Sequence, residues 1–436
     1  MIFFFLFLTY TFIVKTKHTA LCRLKEREIN KEMKRVFGRF CIMQAAYWSF
    51  YASLPGYITA YMLDQGMSAA TLGILLALQM GAAFLGSIFW GRFVDRHTAS
   101  RRFFLIGTLA VGILGVLLFV FAGTPTVLFM LYPLFGFMNG PIATTLDSWA
   151  IAAMHQVEAG AKSRTFGTLG FAFTMLLSGQ VINRAGYGYM PYIALTLLTV
   201  GILTALSLPE VEREKTLQPK KNAADQETKS DLRQLLNAPK YLLLAAVVFF
   251  TGMAIGPINN MKVLIFESVG GDVSFLGWDA FIGCLIQSPF LIFSGKIRRI
   301  KSEYRLIGGA VAALAYALLV FLARNPVMVV MGTICTNISF GLLFPTMREI
   351  TEESVSSDIR TSANSIIDVA YGSVANMIAS AWSGIVMERF GTEMMSSICM
   401  GLECAAILFC VMLVSRSKKS SGFAVPSQTL AQRTCL

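Results

Sequence analysis

The sequence predicts an all-α membrane protein of twelve transmembrane helices, arranged as two six-helix repeats with both termini in the cytoplasm. Three observations support this fold class. The chain of 436 residues is 55% hydrophobic and only 14% charged, which leaves too little polar surface to cover a soluble globule. Apolar stretches of membrane-spanning length recur along the chain. Basic residues are concentrated in alternate connections between these stretches.

Twelve apolar stretches follow residue 39, and each approaches the roughly 20 residues that a transmembrane helix needs. In the first half of the chain they cover residues 41–62, 69–91, 103–122, 126–149, 164–182 and 190–208. In the second half they cover residues 240–263, 275–295, 304–323, 326–347, 362–387 and 392–414.

Residues 209–239 are hydrophilic and of mixed charge, which is typical of a cytoplasmic linker between two halves. The predicted organisation is therefore an N-terminal segment (1–39), a first half (40–208), the linker, a second half (240–414) and a tail (415–436). The apolar residues 2–14 precede Lys15 and Lys17, which reverses the charge order of a secretory signal. They form an interfacial segment, or the natural start is Met33.

The basic residues mark one side of the membrane. All but four of the lysines and arginines lie in the N-terminal segment, alternate connections or the tail. The intervening connections hold only Arg184, Arg324 and Arg389, and Lys262 lies within a span. The positive-inside rule then puts both termini in the cytoplasm and makes the number of spans even. This placement accounts for the net charge of +12 without a nucleic-acid partner.

The two halves resemble each other in sequence. The segment Ser178 to Gly186 (SGQVINRAG) matches the later segment Ser383 to Gly391 (SGIVMERFG). The Gly-Arg pair at Gly91 matches the Gly-Lys pair at Gly295, with almost the same separation along the chain. A unit of six spans keeps its orientation when it is repeated. The repeats are therefore parallel, related by an axis along the membrane normal.

The loop after the second span reads GRFVDRHTASRR, from Gly91 to Arg102. It resembles the signature loop of the major facilitator superfamily, G-x-x-x-D-R-x-x-x-R-R. The resemblance implies a transporter in which Asp95, Arg96 and Arg101 form a cytoplasmic latch. It also implies that Gly91 allows close approach of another helix.

The fifth span begins with RTFGTLGF, from Arg164 to Phe171, and Asp147 lies near the end of the preceding span. This pattern looks like the lactose permease branch, the oligosaccharide:proton symporters. The resemblance implies that Asp147 and Arg164 bind sugar hydroxyls and that Phe171 stacks on the sugar ring. A carboxylate inside a span is expected to face a partner or a wet cavity, so a purely structural ion pair between Asp147 and Arg164 is the alternative.

The seventh span carries further polar groups. Asn259 and Asn260 follow a Gly-Pro pair that ends at Pro257 and weakens the helix, which predicts that they line the substrate cavity. The alternative is a kink without a ligand. Lys262 lies near the outer face, where it either pairs with Asp279 of the next span or extends to the interface.

Two more carboxylates lie within spans. Asp368 shares a helical face with Asn364 and Tyr371, a polar stripe that indicates a cavity or a neighbouring helix. Glu403 lies near the middle of the last span, where a neutral, hydrogen-bonded carboxyl would be structural. The candidates for the coupling proton are Asp147, Asp279, Asp368 and Glu403.

A charge cluster follows the tenth span. Arg348, Glu349 and Glu352 lie at its cytoplasmic end. Their spacing within one helical turn predicts a solvated cluster.

The first functional hypothesis is proton-coupled uptake of a small polar solute, an oligosaccharide, other glycoside or nucleoside, by alternating access. Proton-antiport multidrug efflux is the second, although residues 170–181 lack the proline of the G-x-x-x-G-P-x-x-G-G motif. A non-transporting membrane sensor with the same fold is the third. It gains support because residues 327–344 lack the histidine and glutamate that the lactose permease branch carries in this span.

An enzyme is not expected, because no Gly-rich phosphate loop, metal-ligand spacing or nucleophile elbow is present. We accordingly expect no cofactor and no metal, and an ion gradient as the driving force. The expected partners are a small-molecule substrate, protons and the lipid bilayer. The expected location is the cell membrane (plasma or inner), as a multi-pass protein for which a monomer is sufficient.

Overall fold

The computed structural model describes residues 33–97, 100–154, 156–210, 234–292 and 299–421. All regular secondary structure in these residues is helical, and nine of their helices are long and apolar enough to cross a membrane. Residues 1–32, most of the predicted linker and the end of the predicted tail lie outside the described residues.

The first half contains eight helices. They are α1 (33–53), α2 (Ile58–Asp64), α3 (Ala69–His97), α4 (Ser100–Val120), α5 (Pro125–Asn139), α6 (Ile142–Met154), α7 (Val157–Ala185) and α8 (Met190–Leu206). A 3-10 turn, Tyr187–Tyr189, joins α7 to α8. The interruptions between α1 and α2 and between α5 and α6 contain Pro55 and Pro141. Proline lacks an amide donor, so each of these helices is interrupted. The interruption at Pro141 is slight, because Gly140 keeps helical φ and ψ angles of −48° and −48° and Pro125–Met154 remains one candidate span.

The described part of the second half contains seven α-helices. They are α9 (Pro239–Asn260), α10 (Lys262–Ser268), α11 (Ser274–Ile292), α12 (Ser302–Phe321), α13 (Pro326–Ser354), α14 (Arg360–Asp368) and α15 (Ala375–Ser421). A π-helical turn, Val369–Val374, joins α14 to α15. Helix α15 is broken at Gly391, whose φ is +79°. It therefore covers the end of the eleventh predicted span and the whole of the twelfth.

The backbone carries the internal repeat that the sequence predicts. Gly66 and Gly270 have φ angles of +86° and +76°. Gly186 and Gly391 have φ angles of +82° and +79°. The two pairs have almost the same separation along the chain. Glycine adopts this left-handed geometry without steric cost, so equivalent connections in the two halves turn in the same way.

The halves meet where two pairs of helices cross at small residues. Helix α3 crosses α15, and a Cβ on Gly73 would lie 2.6 Å from the carbonyl oxygen of Ser380 and against Gly384. Helix α7 crosses α11, and a Cβ on Gly277 would lie 2.6 Å from the carbonyl oxygen of Met175. Gly73 and Gly277 have the same separation along the chain as Gly66 and Gly270, so the two crossings are equivalent in the repeat. Small residues allow such close helix approach.

Polar contacts between the halves lie at the same end. The Glu388 carboxylate accepts a hydrogen bond of 2.7 Å from the backbone amide of Ala70. The Asn183 amide donates to Asp272 over 3.1 Å. We call this the closed end of the molecule, and we call the opposite side, where α1 begins, the open end.

Candidate functional site

A cavity of about 850 Å³ lies between the two halves. Helices from both halves contribute to its wall. The polar part of the lining includes Gln79, Asn139, Asn259, Asn260, Asp368 and Asn376. Side-chain amides both donate and accept hydrogen bonds, so this wall can bind a solute with hydroxyl or amide groups.

The two predicted asparagines lie at the end of α9. Asn259 accepts a hydrogen bond of 2.8 Å from the Tyr316 hydroxyl, and the Asn260 amide donates to Ser380 over 2.7 Å. Helix α9 continues through Pro257 and ends at Asn260, where the Met261 amide donates to the Pro257 carbonyl over 2.9 Å. The helix break expected near Pro257 therefore lies one turn further along the chain.

Asp147, Arg164 and Phe171 lie around Trp48 of α1, and none of these four residues lines the cavity between the halves. Arg164 Nη1 lies 3.4 Å from Asp147 Oδ2, and buried Gln44 donates to the same carboxylate over 2.8 Å. The Arg164 guanidinium lies 3.9 Å from the centre of the Trp48 ring, and the Phe171 ring meets Trp48 edge to face at 6.4 Å. Sequence reasoning missed Gln44 and Trp48, because their spacing along α1 gives no signal of contact with α6 and α7.

A second ion pair of the same kind joins α13 to α14. Arg348 Nη2 lies 2.6 Å from Asp368 Oδ2, and its guanidinium lies 5.3 Å from the centre of the Phe344 ring. The neighbouring Glu349 pairs over 2.6 Å with fully buried Arg305. The prediction of a solvated cluster at Arg348 and Glu349 is therefore wrong. Helix α13 continues beyond the predicted span, so this turn packs against α12 and α14.

A third ion pair lies almost entirely inside the second half. Lys262 Nζ lies 2.7 Å from Asp279 Oδ2, and the two side chains are 12% and 7% exposed. Thr333 accepts from Lys262 over 3.2 Å and donates to Asp279. Lys262 also lies 5.6 Å from the centre of the Tyr316 ring. Of the two alternatives for Lys262, the structure has the pair with Asp279.

This pair lines a second cavity, of about 270 Å³. Thr333, Asn337 and Asn259 also line it, and Asn259 lines the larger cavity as well. Asn259 therefore connects the buried ion pair with the space between the halves.

Glu403 lies apart from both cavities. Its side chain is fully buried, and Thr251 donates a hydrogen bond of 3.1 Å to one carboxyl oxygen. Within the described residues, its other oxygen has no hydrogen-bond partner. A carboxyl with so few partners is held most readily in its neutral form.

The predicted latch is described only in part. Arg101 Nε lies 3.3 Å from the Glu210 carboxylate, and Nη1 donates to the Leu208 carbonyl over 3.0 Å. A Cβ on Gly91 would meet no described atom within 4 Å. Among the described residues, no helix therefore approaches closely at Gly91, whose part of α3 lies towards the open end. The side chains of Asp95 and Arg96 lie outside the described residues.

Metal binding has no support in the described part of the chain. No three His, Cys, Asp or Glu side chains there lie close enough to hold a metal ion.

The fold is similar to that of solved transporters. A mutant of the nucleoside transporter NupG has a TM-score of 0.75 and 15% identity, covering 87% of this chain and 99% of its own. A POT family transporter in complex with 5-aminolevulinic acid has a TM-score of 0.63 and 14% identity, covering 88% and 96%. For a D-xylose-proton symporter the values are 0.60, 16%, 88% and 97%. At these identities the likeness concerns the fold alone.

The sequence also has relatives. The uncharacterized transporter YwbF of Bacillus subtilis (strain 168) is 21% identical over 234 residues, which cover 53% of this chain and 56% of YwbF. The match thus spans little more than half the length of that relative. Residues 40–425 match the MFS_1 like family, where MFS denotes the major facilitator superfamily. Since this match covers most of the chain and the fold agrees with it, the chain belongs to the MFS_1 like family of multi-pass membrane proteins.

Proposed function

We propose that this protein is a secondary transporter that takes up a small polar solute together with protons, by alternating access between its two halves. The observation that carries the proposal is the polar cavity of about 850 Å³ between the halves. Tight helix crossings close it off on one side. Such a cavity suits a cycle in which the closed end opens while the open end closes.

The proposed topology has twelve membrane crossings, with both termini and the open end on the cytoplasmic side. Among the described residues, nine helices have the length and composition of spans, and one of these stretches, Ser362–Arg416, contains the break at Gly391. Its two parts, together with α1 and the shorter α11, bring the number to twelve. The distribution of lysine and arginine supports the cytoplasmic termini.

The substrate classes that the cavity favours are glycosides and nucleosides. Their hydroxyl and base groups match the amide side chains of the lining. Two proteins of similar fold are a nucleoside transporter and a D-xylose-proton symporter, which supports the same classes. A closer relation to the lactose permease branch stays a prediction. The arrangement of Asp147, Arg164 and Phe171 around Trp48 supports it.

We assign the predicted latch to the open end in the proposed transport cycle. Arg101 ties the start of α4 to the end of α8. We propose that Asp95 and Arg96, with Gly91, join it when the open end closes. The location in the cell membrane and the sufficiency of a monomer are proposed on the same basis, since the cavity is formed by one chain.

Substrate binding is tested by the thermal stability of the purified protein in detergent, across a panel of glycosides, nucleosides and hydrophobic cations. A ligand that binds only the folded state raises the unfolding midpoint by mass action. We expect a glycoside or nucleoside to do so, and Asp147→Asn or Arg164→Ala to abolish the shift. Lys162→Ala is the matched control, because Lys162 lies on the same helix with its side chain 65% exposed. A shift with hydrophobic cations alone would favour efflux.

The carboxylate that we propose for the coupling proton is Asp279. Asp147 and Asp368 are 41% and 42% exposed and are paired with arginines, which remain charged throughout any cycle. Glu403 contacts no described cation and lines neither cavity. Asp279 is buried beside a lysine, and Asn259 connects their cavity with the larger one.

Protonation of Asp279 would leave Lys262 as an uncompensated positive charge in its cavity. Besides these two groups, the titratable side chains that line the cavity are Tyr371 and Cys284, and the Tyr316 ring lies 5.6 Å from Lys262 Nζ. The proton therefore changes the cavity from net neutral to net positive. Uptake of a neutral solute with this proton moves charge across the membrane.

Asp279→Asn separates coupling from transport, measured on the fraction of protein that stays folded, because the unpaired Lys262 charge also destabilises this variant. In proteoliposomes this variant should retain exchange of labelled for unlabelled substrate but lose accumulation driven by a pH gradient. Asp147→Asn should lose both, because we assign Asp147 to substrate binding. Gradient-driven accumulation by Asp279→Asn at the wild-type level would refute the role of Asp279 and leave the transporter proposal intact.

A further inference from the structure

Two ion pairs occupy equivalent positions in the two halves, with their charges exchanged. Helices α5 and α13 both begin at a proline, Pro125 and Pro326. Asp147 follows Pro125 at the same spacing along the chain as Arg348 follows Pro326. The helix stretch that begins at Pro125 thus carries an acid where its repeat carries a base.

The partners of these two residues are equivalent as well. The separation along the chain from Arg164 to Asp368 equals that from Gly73 to Gly277 at the helix crossings. For equivalent residues beyond the π-helical turn Val369–Val374, such as Gly186 and Gly391, the separation along the chain is larger by one residue. A π-helical turn takes up one additional residue in a helix, which accounts for the change. The base of the first pair therefore corresponds to the acid of the second.

The symmetry of the repeat fixes which charges face each other. A two-fold axis along the membrane normal puts equivalent positions on opposite sides of the axis at equal depth. The symmetry therefore puts Asp147 at the depth of Arg348, and Arg164 at the depth of Asp368, on opposite sides of the axis. Had the repeat kept its charges, like charges would face each other, and bringing the halves together would be opposed.

In this conformation each charge is paired within its own half, over 3.4 Å and 2.6 Å. The four side chains are between 32% and 42% exposed, so they remain accessible to a partner from the other half. We propose that they form a gate at the open end, in which Asp147 pairs with Arg348 and Arg164 with Asp368 when that end closes. The exchange of partners leaves no charge unpaired in either state.

The gate rests on the proposed alternating access, but its test does not require transport. Spin labels at Lys162→Cys and Ser362→Cys, in a protein whose native cysteines are replaced, report the distance between the halves at the open end. Both positions are exposed, one on each half. The measurement is the fraction of the shorter distance in lipid nanodiscs, which reports closure of the open end.

Two double reversals distinguish pairing within a half from pairing across the halves. Asp147→Arg with Arg164→Asp keeps an ion pair within its half but puts like charges across the axis. Closure should fall at least about tenfold. Asp147→Arg with Arg348→Asp puts like charges within each half but opposite charges across the axis, and it should retain closure. Reversal of all four residues restores both arrangements and should recover the wild-type distance distribution.

Wild-type closure in the first double variant, or failure of the fourfold reversal to recover closure, would overturn the gate. The double variant Asp147→Asn with Arg348→Gln introduces no repulsion. It replaces the charge reversals in this measurement if the reversed proteins do not fold. It should reduce closure, and an unchanged closed fraction would also overturn the gate. If the gate is overturned and the wild-type protein still takes up a solute, the transporter proposal stands. An intact gate without uptake of any solute would remove only the transport proposal.

Discussion

Single residues inside this protein are held by partners on other helices. Lys262 is the clearest case, since Asp279 and Thr333 satisfy its ammonium group in a site where both charged side chains are nearly inaccessible. A buried pair of this kind is costly to break, because removal of one partner leaves an uncompensated charge in a medium of low dielectric constant.

Lys262→Ala should therefore destabilise the folded protein by about 3–5 kcal/mol. Lys262→Met combined with Asp279→Leu removes both charges and should be far less destabilising. Lys162→Ala, which removes an exposed pair with Glu158, is the control and should leave stability unchanged. The measurement is the free energy of unfolding in detergent. A single variant as stable as the double variant would show that the buried pair carries no such penalty.

Residue contacts could be predicted from the sequence where two charges lie at similar depth on successive helices. This reasoning located Asp147 with Arg164 and Lys262 with Asp279. It failed at Arg348 and Glu349, because their spacing favoured partners on the same helix. In the structure, Arg348 pairs with Asp368 of α14 and Glu349 pairs with Arg305 of α12. Such contacts depend on how far α13 extends, which hydrophobicity alone does not define.

Helices in this chain end or break where the backbone chemistry requires it. The predicted spans agree with the helices to within several residues at most ends, because apolar length is read directly from the sequence. The breaks were harder to predict. Pro55 and Pro141 interrupt their spans, whereas α9 continues through Pro257 and stops at Asn260. Proline removes an amide donor wherever it stands, so whether the helix breaks there depends on its surroundings, which the sequence alone does not define.

The α3–α15 crossing predicts the effect of added volume. A Cβ on Gly384 would overlap the Ala69 carbonyl, so Gly384→Val should force the closed end apart. We expect the fraction of molecules with this end closed to fall by about tenfold, since overpacking costs about 1–3 kcal/mol. The measurement is the distance between spin labels at Tyr189→Cys and Glu393→Cys.

Gly401→Val is the matched control on the same helix, because a Cβ there meets no described atom within 4 Å. It should leave the distance distribution unchanged. Equal effects of the two valines would mean that helix propensity, and not the crossing, determines the result.

In the whole molecule, two carboxylates from opposite halves, Asp64 and Glu267, lie near each other at the closed end. Burial raises the pKa of the Glu267 carboxyl, and the charge of Asp64 on the other half raises this pKa further. Since the raised pKa belongs to the state with this end closed, protonation favours closure. The contribution is present at low pH and is lost as the pH rises through the raised pKa.

We therefore expect the closed end to open more often as the pH is raised from the ordinary titration range of a glutamate through the raised pKa of Glu267, with Glu267→Gln removing much of this dependence. Spin labels at Tyr189→Cys and Glu393→Cys report it directly. Opening that increases as the pH is lowered would contradict the sign of this linkage.

The two-fold repeat was predictable from sequence because glycine positions and the SGxVxxRxG segments recur at a nearly constant separation. The exchange of charge between Asp147 and Arg348 was not predictable. These two residues lie slightly closer together along the chain than other equivalent pairs, because Gly295 and Pro326 are three residues closer than Gly91 and Pro125. The longer connection before α14 than before α7 then restores the separation. Only the three-dimensional equivalence of the helices identifies them as partners across the axis.

Proton-coupled transport is measured most directly as uptake of labelled nucleosides and glycosides into proteoliposomes under an imposed proton gradient. We predict accumulation above the external concentration when the outside is acidic, its loss on addition of a protonophore, and none in empty liposomes. Absence of uptake and of exchange for every polar solute, in protein that is folded and correctly reconstituted, would contradict it.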